Sequence, residues 1–412
     1  APKAANLPEG IDKWCNWIHE GEKAVGYPID HSDGGCDCQP QCKQGPPWPW
    51  KSQIETIQIR DEDAVSDSGV EIWSLMEQRG VKNVILMGVH TNMCVLGRPF
   101  GLRNMARFGK DVVLMRDLTD TMYNSKMHPV VSHFTGTDLV VEHVEKLVCP
   151  SVTSTTFTGK PAFCFKDDKR PRMVFISAEN EYGAAGTLPE FAHELQLKYG
   201  LYCEILQGST EKTGPQLHDL AGLEALTNAD LAVLFVRRRA LRPEQMQYLR
   251  DYLERGKPLI GLRTACHAFD TRGSAPQVRQ GTAGAGYAEW PKFDPEVLGG
   301  NYNNHYGSGP KCTVTPAADA QGHTILAGVK LPFTSDGSLY RVSPLASSTT
   351  PLLIGTIPDK DSEPVAWTNT YKQSRVFYTS LGHPDDFKNP AFRQLLLNAI
   401  FWSMDKPVPK PH

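Results

Sequence analysis

A cysteine at a predicted strand-to-helix junction is the first candidate for chemistry. Cys94 follows a short apolar run, Asn83–Val89, and a tight polar turn at residues 90–93. Beyond it, apolar residues recur at helical spacing up to Gly109, which would end the helix. A helix N-terminus stabilises negative charge, so this position favours a thiolate, and the same amides can hold an oxyanion. The pattern predicts a nucleophilic thiol after a strand buried on both faces.

The residues around this cysteine resemble a known family. Residues 88–94, GVHTNMC, are similar to the nucleophile turn of the isochorismatase-like cysteine hydrolases, which include nicotinamidases. Residues 112–121, VVLMRDLTDT, resemble that family's next strand, with Asp117 where the family usually carries an acidic residue. The resemblance covers residues 55–154. It implies that Cys94 hydrolyses a small amide or ester and that His90, Asn92 and Asp117 bind the substrate. A buried, inert cysteine in an ordinary α/β crossover is the alternative.

The chain departs from that family at two positions. The family pairs its cysteine with an Asp base on the first strand and a Lys after a middle strand. Residues 54–59 alternate Ile with polar side chains and predict the strand before Cys94, and Arg60 ends it. Arg60 keeps the positive charge that the Lys would supply, so we expect it to face Cys94 as the second catalytic residue.

No apolar strand ending in Asp precedes residue 55, so the opening strands of this domain are predicted to be missing. The domain is then either degenerate or part of a longer, cleaved precursor. A sheet without its opening strands would have an unpaired edge and an exposed apolar face. We therefore expect a covering partner, either another copy of the chain in a homo-oligomer or a cleaved N-terminal fragment.

Residues 1–53 form a loop-rich segment that contains Cys15, Cys36, Cys38 and Cys42. Four cysteines in about thirty residues without clear periodicity predict disulfides that hold an irregular segment in one shape. A metal site with His31 nearby and free thiols are the alternatives. Common zinc sites use paired Cys-x-x-Cys knuckles, which this spacing lacks, so no metal and no cofactor are expected. Disulfides would indicate a secreted or periplasmic protein.

Composition excludes several function classes. The 412 residues carry 43 basic and 46 acidic side chains, a net charge of −3, which does not predict a nucleic-acid or anionic-membrane surface. The basic run at residues 237–239 is interpreted as a local loop feature. No apolar run reaches the roughly 18–20 residues that span a bilayer, and the residues from Ala1 onward do not have the basic start and apolar core of a signal peptide. The expected partner is a small molecule or sugar, with no nucleic acid and no membrane.

The order of predicted elements gives the fold class. Residues 151–171 are rich in Ser, Thr, Pro and charge, as linkers are, and separate a partial first domain at residues 54–150 from a second at residues 172–405. Each domain alternates strands with helices, which predicts a parallel sheet with helices on both faces. The expected architecture is two doubly wound, three-layer α/β domains in tandem, with reactive crevices beyond the carboxyl ends of the strands.

Four stretches of the second domain carry another resemblance. GLRTACHAF at residues 261–269, together with residues 301–306, 338–340 and 364–387, resemble the trehalose-utilisation (ThuA-like) family. The similarity extends over nearly all of residues 172–404. It implies a class I glutamine-amidotransferase-like fold and a role in carbohydrate metabolism, including oxidised or keto sugars.

The candidate pocket of the second domain is argued from residue types and spacing. Amidotransferases place their nucleophile two positions after a strand glycine, which from Gly261 falls on Arg263, so Cys266 is predicted to be packing. Guanidinium and imidazole groups after strands can bind carboxylates or sugar hydroxyls and carry protons. We expect a pocket formed by Arg263, His267, His305 and His383. Asp385 is the expected acidic partner of His383.

Three functions follow from these patterns. The first is hydrolysis of a small amide or ester by Cys94, coupled to a carbohydrate-related domain. The second is a non-catalytic carbohydrate-binding or scaffold protein whose hydrolase half is degenerate. The third confines sugar chemistry to the second domain, through an acid–base pair such as His383 with Asp385.

Overall fold

The structure is a computed structural model that describes residues 2–40, 42, 51–209, 211, 213–275 and 286–408. It divides into two compact units, residues 1–168 and residues 169–412. Each unit contains a sheet with parallel strands, which confirms the predicted mixed α/β class.

Unit 1 is built on three parallel strands in the spatial order β1-β2-β3: β1 (Asn83–Val89), β2 (Asp111–Asp120) and β3 (Ser151–Val152). Its described helices are α1 (Glu20–Val25), α2 (Gly69–Gln78), α3 (Leu102–Arg107), α4 (His133–Leu147) and α5 (Thr155–Thr158). Ser68 begins α2 by accepting a hydrogen bond from the backbone N–H of Glu71, close to the start that the sequence predicts.

Strand β1 is not buried on both faces, contrary to the prediction from its apolar run. It is an edge strand of its sheet, and within the described ranges β2 is its one paired neighbour. Three alternate side chains are exposed: Ile85 by 40%, Met87 by 52% and Val89 by 59%. This is the exposed apolar face expected of a sheet without its opening strands.

Another prediction for unit 1 is wrong. Residues 54–59 form no strand but an exposed irregular segment, because no sheet edge in the described part of the chain receives their alternating isoleucines. Residues 137–141, whose β-branched run favours a strand, lie inside α4 instead. There Leu139, Val140 and Val144 bury one helical face, and Ser132 caps the helix, so packing overrides β propensity.

Unit 2 contains a nine-stranded sheet in the order β5-β4-β6-β7-β12-β11-β10-β8-β9. The first five strands are parallel and the rest are antiparallel. The strands are β4 (Arg172–Ala178), β5 (Tyr202–Gln207), β6 (Leu231–Val236), β7 (Leu259–Leu262), β8 (Cys312–Pro316), β9 (Phe333–Ser335), β10 (Thr350–Thr356), β11 (Glu363–Tyr371) and β12 (Ser374–Thr379).

Helices cover both faces of this sheet and make three layers. Helix α6 (Ala184–Tyr199) and helix α8 (Pro390–Ser403) pack on one face, where Phe191 and Leu396 share a core with strand residues such as Phe175. Helix α7 (Pro243–Glu254) covers the other face through Leu249 and Leu253. The central strands β6 and β7 are buried throughout, as parallel strands between two helical layers must be.

Candidate functional site

The carboxyl end of β7 carries an arginine in a backbone conformation that bulky residues rarely adopt. Arg263 directly follows the strand and has φ +41°, in the left-handed region. Its carbonyl oxygen accepts hydrogen bonds from the Tyr378 hydroxyl at 2.6 Å and from the Cys266 thiol at 3.3 Å. Such strain persists only where the surroundings impose it, and it concentrates at functional sites. Arg263 occupies the position, two residues after Gly261, where amidotransferases place their nucleophile.

The Arg263 side chain is buried between two tyrosines. Its guanidinium carbon lies 4.1 Å from the ring centroid of Tyr182 and 4.7 Å from that of Tyr340. Nη1 donates to the Ser380 carbonyl at 2.7 Å and Nη2 to the Ser338 hydroxyl at 3.2 Å, while the buried Nε has no partner among the described residues. The guanidinium is therefore fixed in place by cation–π and hydrogen-bond contacts.

His267 belongs to the same cluster. Its ring stacks on Tyr302 with centroids 4.6 Å apart, and Nδ1 lies 3.2 Å from the Cys266 sulfur. Burial, followed by the charges of Arg238 and Arg237, holds the His267 pKa well below its usual value. The imidazole is thus neutral near pH 7 and available for hydrogen bonding rather than for charge.

Cys266 is a packing residue in this cluster, as the sequence predicts. The side chain is 5% exposed, and burial raises the pKa of its thiol well above the ordinary value. A thiol that stays protonated is a poor nucleophile. Its contacts with Arg263 and His267 make it part of the support of the turn.

Positive charge is concentrated at this edge of the sheet. The basic run, interpreted from sequence as a local loop feature, follows β6, the parallel neighbour of β7, and so ends beside Arg263. Arg237 pairs with Glu181 at 2.6 Å, whereas Arg238 donates to the Asp270 carbonyl at 2.9 Å. Burial and the neighbouring Arg272 and Arg237 lower the Arg238 pKa. Like charges held this close favour an anionic ligand.

The two remaining predicted histidines flank the tyrosines. His305 is exposed and forms a backbone bridge with Tyr340, with their ring centroids 6.3 Å apart. The His383 ring lies 6.5 Å from that of Tyr182, edge to face. The tyrosines therefore bring the four predicted pocket residues into one neighbourhood. Tyr182 and Tyr302 carried no sequence signal beyond their position in loops after strands.

The turn that carries His383 is shaped by Asp386 rather than by Asp385. Asp386 is buried, and its Oδ2 accepts the backbone N–H groups of Gly382 at 2.8 Å and His383 at 2.9 Å. Asp385 is half exposed and pairs with Lys388 at 2.7 Å, with Oδ2 3.5 Å from His383 Nδ1. The predicted pair of His383 and Asp385 therefore lies at the rim.

In unit 1, Cys94 lies in a single π-helical turn, Thr91–Val95, directly after β1, and is half buried. It does not begin a long helix, because α3 starts only at Leu102. Gly101 passes so close to the preceding turn that a Cβ there would lie 2.8 Å from the Leu96 carbonyl oxygen. The cysteine is accessible, but the helix predicted to stabilise it begins later.

Two predicted neighbours of Cys94, Asn92 and Asp117, have other partners. Asn92 is buried, and its amide exchanges hydrogen bonds with the Met122 backbone at 2.9 and 3.0 Å. Asp117 lies on β2 and accepts the backbone N–H groups of Ser154 and Phe163, both at 2.8 Å. Both side chains thus hold loops in place.

Arg60 is not on a strand end facing Cys94, contrary to the prediction. It lies in the exposed irregular segment and pairs with Asp63 and Glu62, both at 3.2 Å. The strand that would have carried it does not form. Its positive charge is therefore paired with the carboxylates of Glu62 and Asp63.

An acid–base pair that the sequence did not reveal lies at the carboxyl end of β2. Asp120 Oδ1 is 2.9 Å from His133 Nε2 and accepts the Thr137 hydroxyl at 3.0 Å. The hydrogen bond to Asp120 raises the His133 pKa, and burial lowers that of nearby His90. In the described part of the chain, no carboxylate hydrogen-bonds to the Cys94 sulfur, so the hydrolase triad is incomplete.

The predicted disulfides do not form: all ten cysteines are free thiols. Three of them, Cys36, Cys38 and Cys42, form a cluster in which every pair of sulfurs lies within 4.8 Å. The described residues also contain no helix of the length and apolarity needed to cross a membrane.

Comparison with known proteins finds a family model that matches part of unit 2 and finds no match among curated proteins. Two solved ThuA-like proteins, from Bacteroides uniformis and Parabacteroides merdae, are 17% and 16% identical, with TM-scores of 0.43 and 0.42. They cover 60% and 59% of this chain and 95% and 93% of their own. A glutamine amidotransferase from Thermotoga maritima is 10% identical over 57% of this chain and 99% of its own, with a TM-score of 0.33. Residues 207–403 match the model of the trehalose-utilisation family, ThuA, and the chain therefore contains a ThuA-like domain.

Proposed function

We propose that unit 2 binds a carbohydrate at the carboxyl edge of its sheet, where doubly wound folds form their binding crevice. The observation that carries this proposal is the fixed cluster of Arg263 between Tyr182 and Tyr340, beside the stacked pair of His267 and Tyr302. Aromatic rings offer apolar faces to a sugar ring, and a planar guanidinium offers paired donors to its oxygens. The ThuA family match supports a carbohydrate-related role.

The charge of the crevice favours a sugar that carries a carboxylate. Arg263, Arg238 and Arg272 approach His267 closely enough to lower its pKa, and the exposed fraction of that imidazole is only 6%. An anionic group on the ligand would offset the positive charge of these guanidinium groups, which a neutral sugar would not do. A uronic acid is the simplest sugar with this property.

Proton transfer on the bound sugar falls to His383. Its side chain is 30% exposed at the rim, where Nδ1 accepts the backbone N–H of Asp385 at 3.3 Å and lies 3.5 Å from the Asp385 carboxylate. His267 does not serve as a general acid near neutral pH, because its low pKa leaves the imidazole without a proton to donate. Sugar chemistry would then be confined to the ThuA-like unit.

Thiol-based hydrolysis by Cys94 is the second candidate. The observation in its favour is that Cys94 is accessible on a tight turn after β1, with the pair of Asp120 and His133 at the end of the adjacent strand. The resemblance of residues 88–94 to the isochorismatase-like nucleophile turn supports the same activity. Within the described ranges no carboxylate hydrogen-bonds to the Cys94 sulfur, and thiol-based hydrolysis is therefore the weaker proposal.

Titration calorimetry of the full chain with glucuronate, glucose and trehalose tests the sugar-binding proposal. Glucuronate is expected to bind most tightly, and its affinity is expected to fall between 50 mM and 500 mM NaCl because the contact is electrostatic. Glucose should show the smaller salt effect. If none of the three sugars binds, or if glucuronate binds no better than glucose, the proposed ligand class is wrong.

A further inference from the structure

The three-thiol cluster in unit 1 has the geometry of a metal site. The sulfurs of Cys36, Cys38 and Cys42 all lie within 4.8 Å of one another, and none is in a disulfide. We propose that this cluster binds a thiophilic metal ion of the Zn²⁺ type through three thiolates. A bound metal, rather than the predicted disulfides, would then cross-link this loop-rich segment.

The distances suit a shared cation. Zinc–sulfur bonds are about 2.3 Å long, so two thiolates on one tetrahedral zinc lie about 3.8 Å apart. Closing the cluster onto an ion therefore requires side-chain shifts of about 1 Å or less. The fourth position stays open to water or to a ligand.

One side of the cluster is anchored to the body of unit 1. Gly35, with φ +69°, packs so closely that a Cβ would lie 2.5 Å from the Met122 backbone, and its N–H donates to Asp33 at 2.8 Å. The other carboxylate oxygen of Asp33 accepts from Asn124 at 2.9 Å. The backbone next to Cys36 is therefore already held in place, which reduces the conformational entropy lost when the cluster binds a metal.

Cobalt titration of the full chain tests the proposal. The protein is purified in reductant, stripped with a chelator and titrated with Co²⁺, whose thiolate charge-transfer absorption reports sulfur ligands. One equivalent is expected to bind and to be displaced by Zn²⁺. Each of Cys36→Ser, Cys38→Ser and Cys42→Ser should weaken binding by about tenfold or more. Cys164→Ser, which removes an exposed thiol outside the cluster, should leave the titration unchanged.

A second measurement does not depend on the variants. In the wild-type chain, Zn²⁺ should protect Cys36, Cys38 and Cys42 from iodoacetamide, as read by peptide mass mapping, while Cys164 stays reactive. The proposal is overturned if Co²⁺ binds without charge-transfer absorption, if the three serine variants bind as the wild type does, or if zinc leaves the three thiols unprotected. A disulfide between any two of them in the protein isolated without reductant would also overturn it.

Discussion

The hydroxyl of Tyr378 donates a hydrogen bond of 2.6 Å to the carbonyl oxygen of Arg263. Tyr378 lies on β12, the parallel neighbour of β7, so one strand of the sheet fixes the turn that ends the next. This bond and the Cys266 thiol hold Arg263 at its positive φ, and that geometry directs the guanidinium between the two tyrosines.

Removing this hydroxyl should loosen the turn. Tyr378→Phe is expected to cost about 1 kcal/mol of unfolding free energy, because one buried hydrogen bond is lost. It should also weaken glucuronate binding, since Arg263 is no longer held. Tyr252→Phe is the matched control: its buried hydroxyl donates to Pro258 at 2.6 Å, away from the crevice. Equal affinities in the two variants would contradict a positioning role for Tyr378.

A buried carboxyl behind the site should make stability depend on pH. Burial raises the Asp294 pKa from 3.8 to about 7, and Oδ1 has no hydrogen-bond partner among the described residues. Because this pKa is higher in the folded state, the contribution of Asp294 to stability falls as pH rises from 3.8 through about 7.

Asp294→Asn should therefore raise the unfolding free energy by about 2 kcal/mol at pH 8 and change it little at pH 4. Urea titrations at the two pH values measure the difference. Asp361→Asn, at an exposed position, should change neither value appreciably. If the variant is less stable than the wild type at pH 8, the ionised Asp294 does not destabilise the folded state and this prediction is wrong.

A second buried carboxyl behaves in the opposite way. Glu22 is fully buried and accepts hydrogen bonds from Arg103 at 2.5 Å and from His143 at 2.8 Å. Burial alone would raise its pKa, but the hydrogen bonds from His143 and Arg103 lower it from 4.5 to about 2. Its stabilisation of unit 1 is thus complete above pH 4.5 and lost as pH falls towards 2.

Glu22→Gln leaves Arg103 buried without its counter-charge and should destabilise unit 1 by about 3–5 kcal/mol at pH 7. Hydrogen exchange of the amides in α1 and α4 measures that loss locally. Glu20→Gln, which removes an exposed carboxylate from the same helix, should cost less than about 0.5 kcal/mol. Similar effects of the two substitutions would show that the buried ion pair adds no stability.

The sequence predicted positions that local spacing defines. Arg263 was reached by counting two residues from Gly261 at the end of an apolar strand, and burial of the central strands β6 and β7 follows from their continuous apolar runs. Cys266 was predicted as packing for the same reason. These features depend on a few neighbouring residues, which a single chain makes visible.

Features that depend on distant partners were missed. Arg60 was assigned to a strand because residues 54–59 alternate correctly, but a strand forms only where a sheet edge accepts it. The pair of Asp120 and His133 joins residues thirteen apart across a strand end and a helix start. Tyr182 reaches Arg263 because Glu179 accepts its backbone N–H at 2.6 Å and fixes the loop after β4. Spacing along the chain gives no sign of such contacts.

Alkylation separates an activated Cys94 from an ordinary exposed thiol. If Cys94 is a hydrolase nucleophile, iodoacetamide should modify it at pH 6 at least about tenfold faster than Cys164, since an activated thiol reacts faster than an ordinary exposed one. Peptide mass mapping over pH 5–9 gives both rates in the same sample. Equal rates at pH 6 would remove thiol-based hydrolysis from consideration.

The affinity of glucuronate for two tyrosine variants tests the sugar-binding crevice most directly. Tyr302→Ala removes the ring stacked on His267, whereas Tyr371→Ala removes a ring at the opposite end of the sheet, beside Trp290. Loss of one aromatic contact at the ligand should weaken binding by about 1 kcal/mol or more, a factor of about five in the dissociation constant. We predict that weakening for Tyr302→Ala and an unchanged constant for Tyr371→Ala. Unchanged binding in Tyr302→Ala, with the variant folded, would contradict a carbohydrate site at this edge of the sheet.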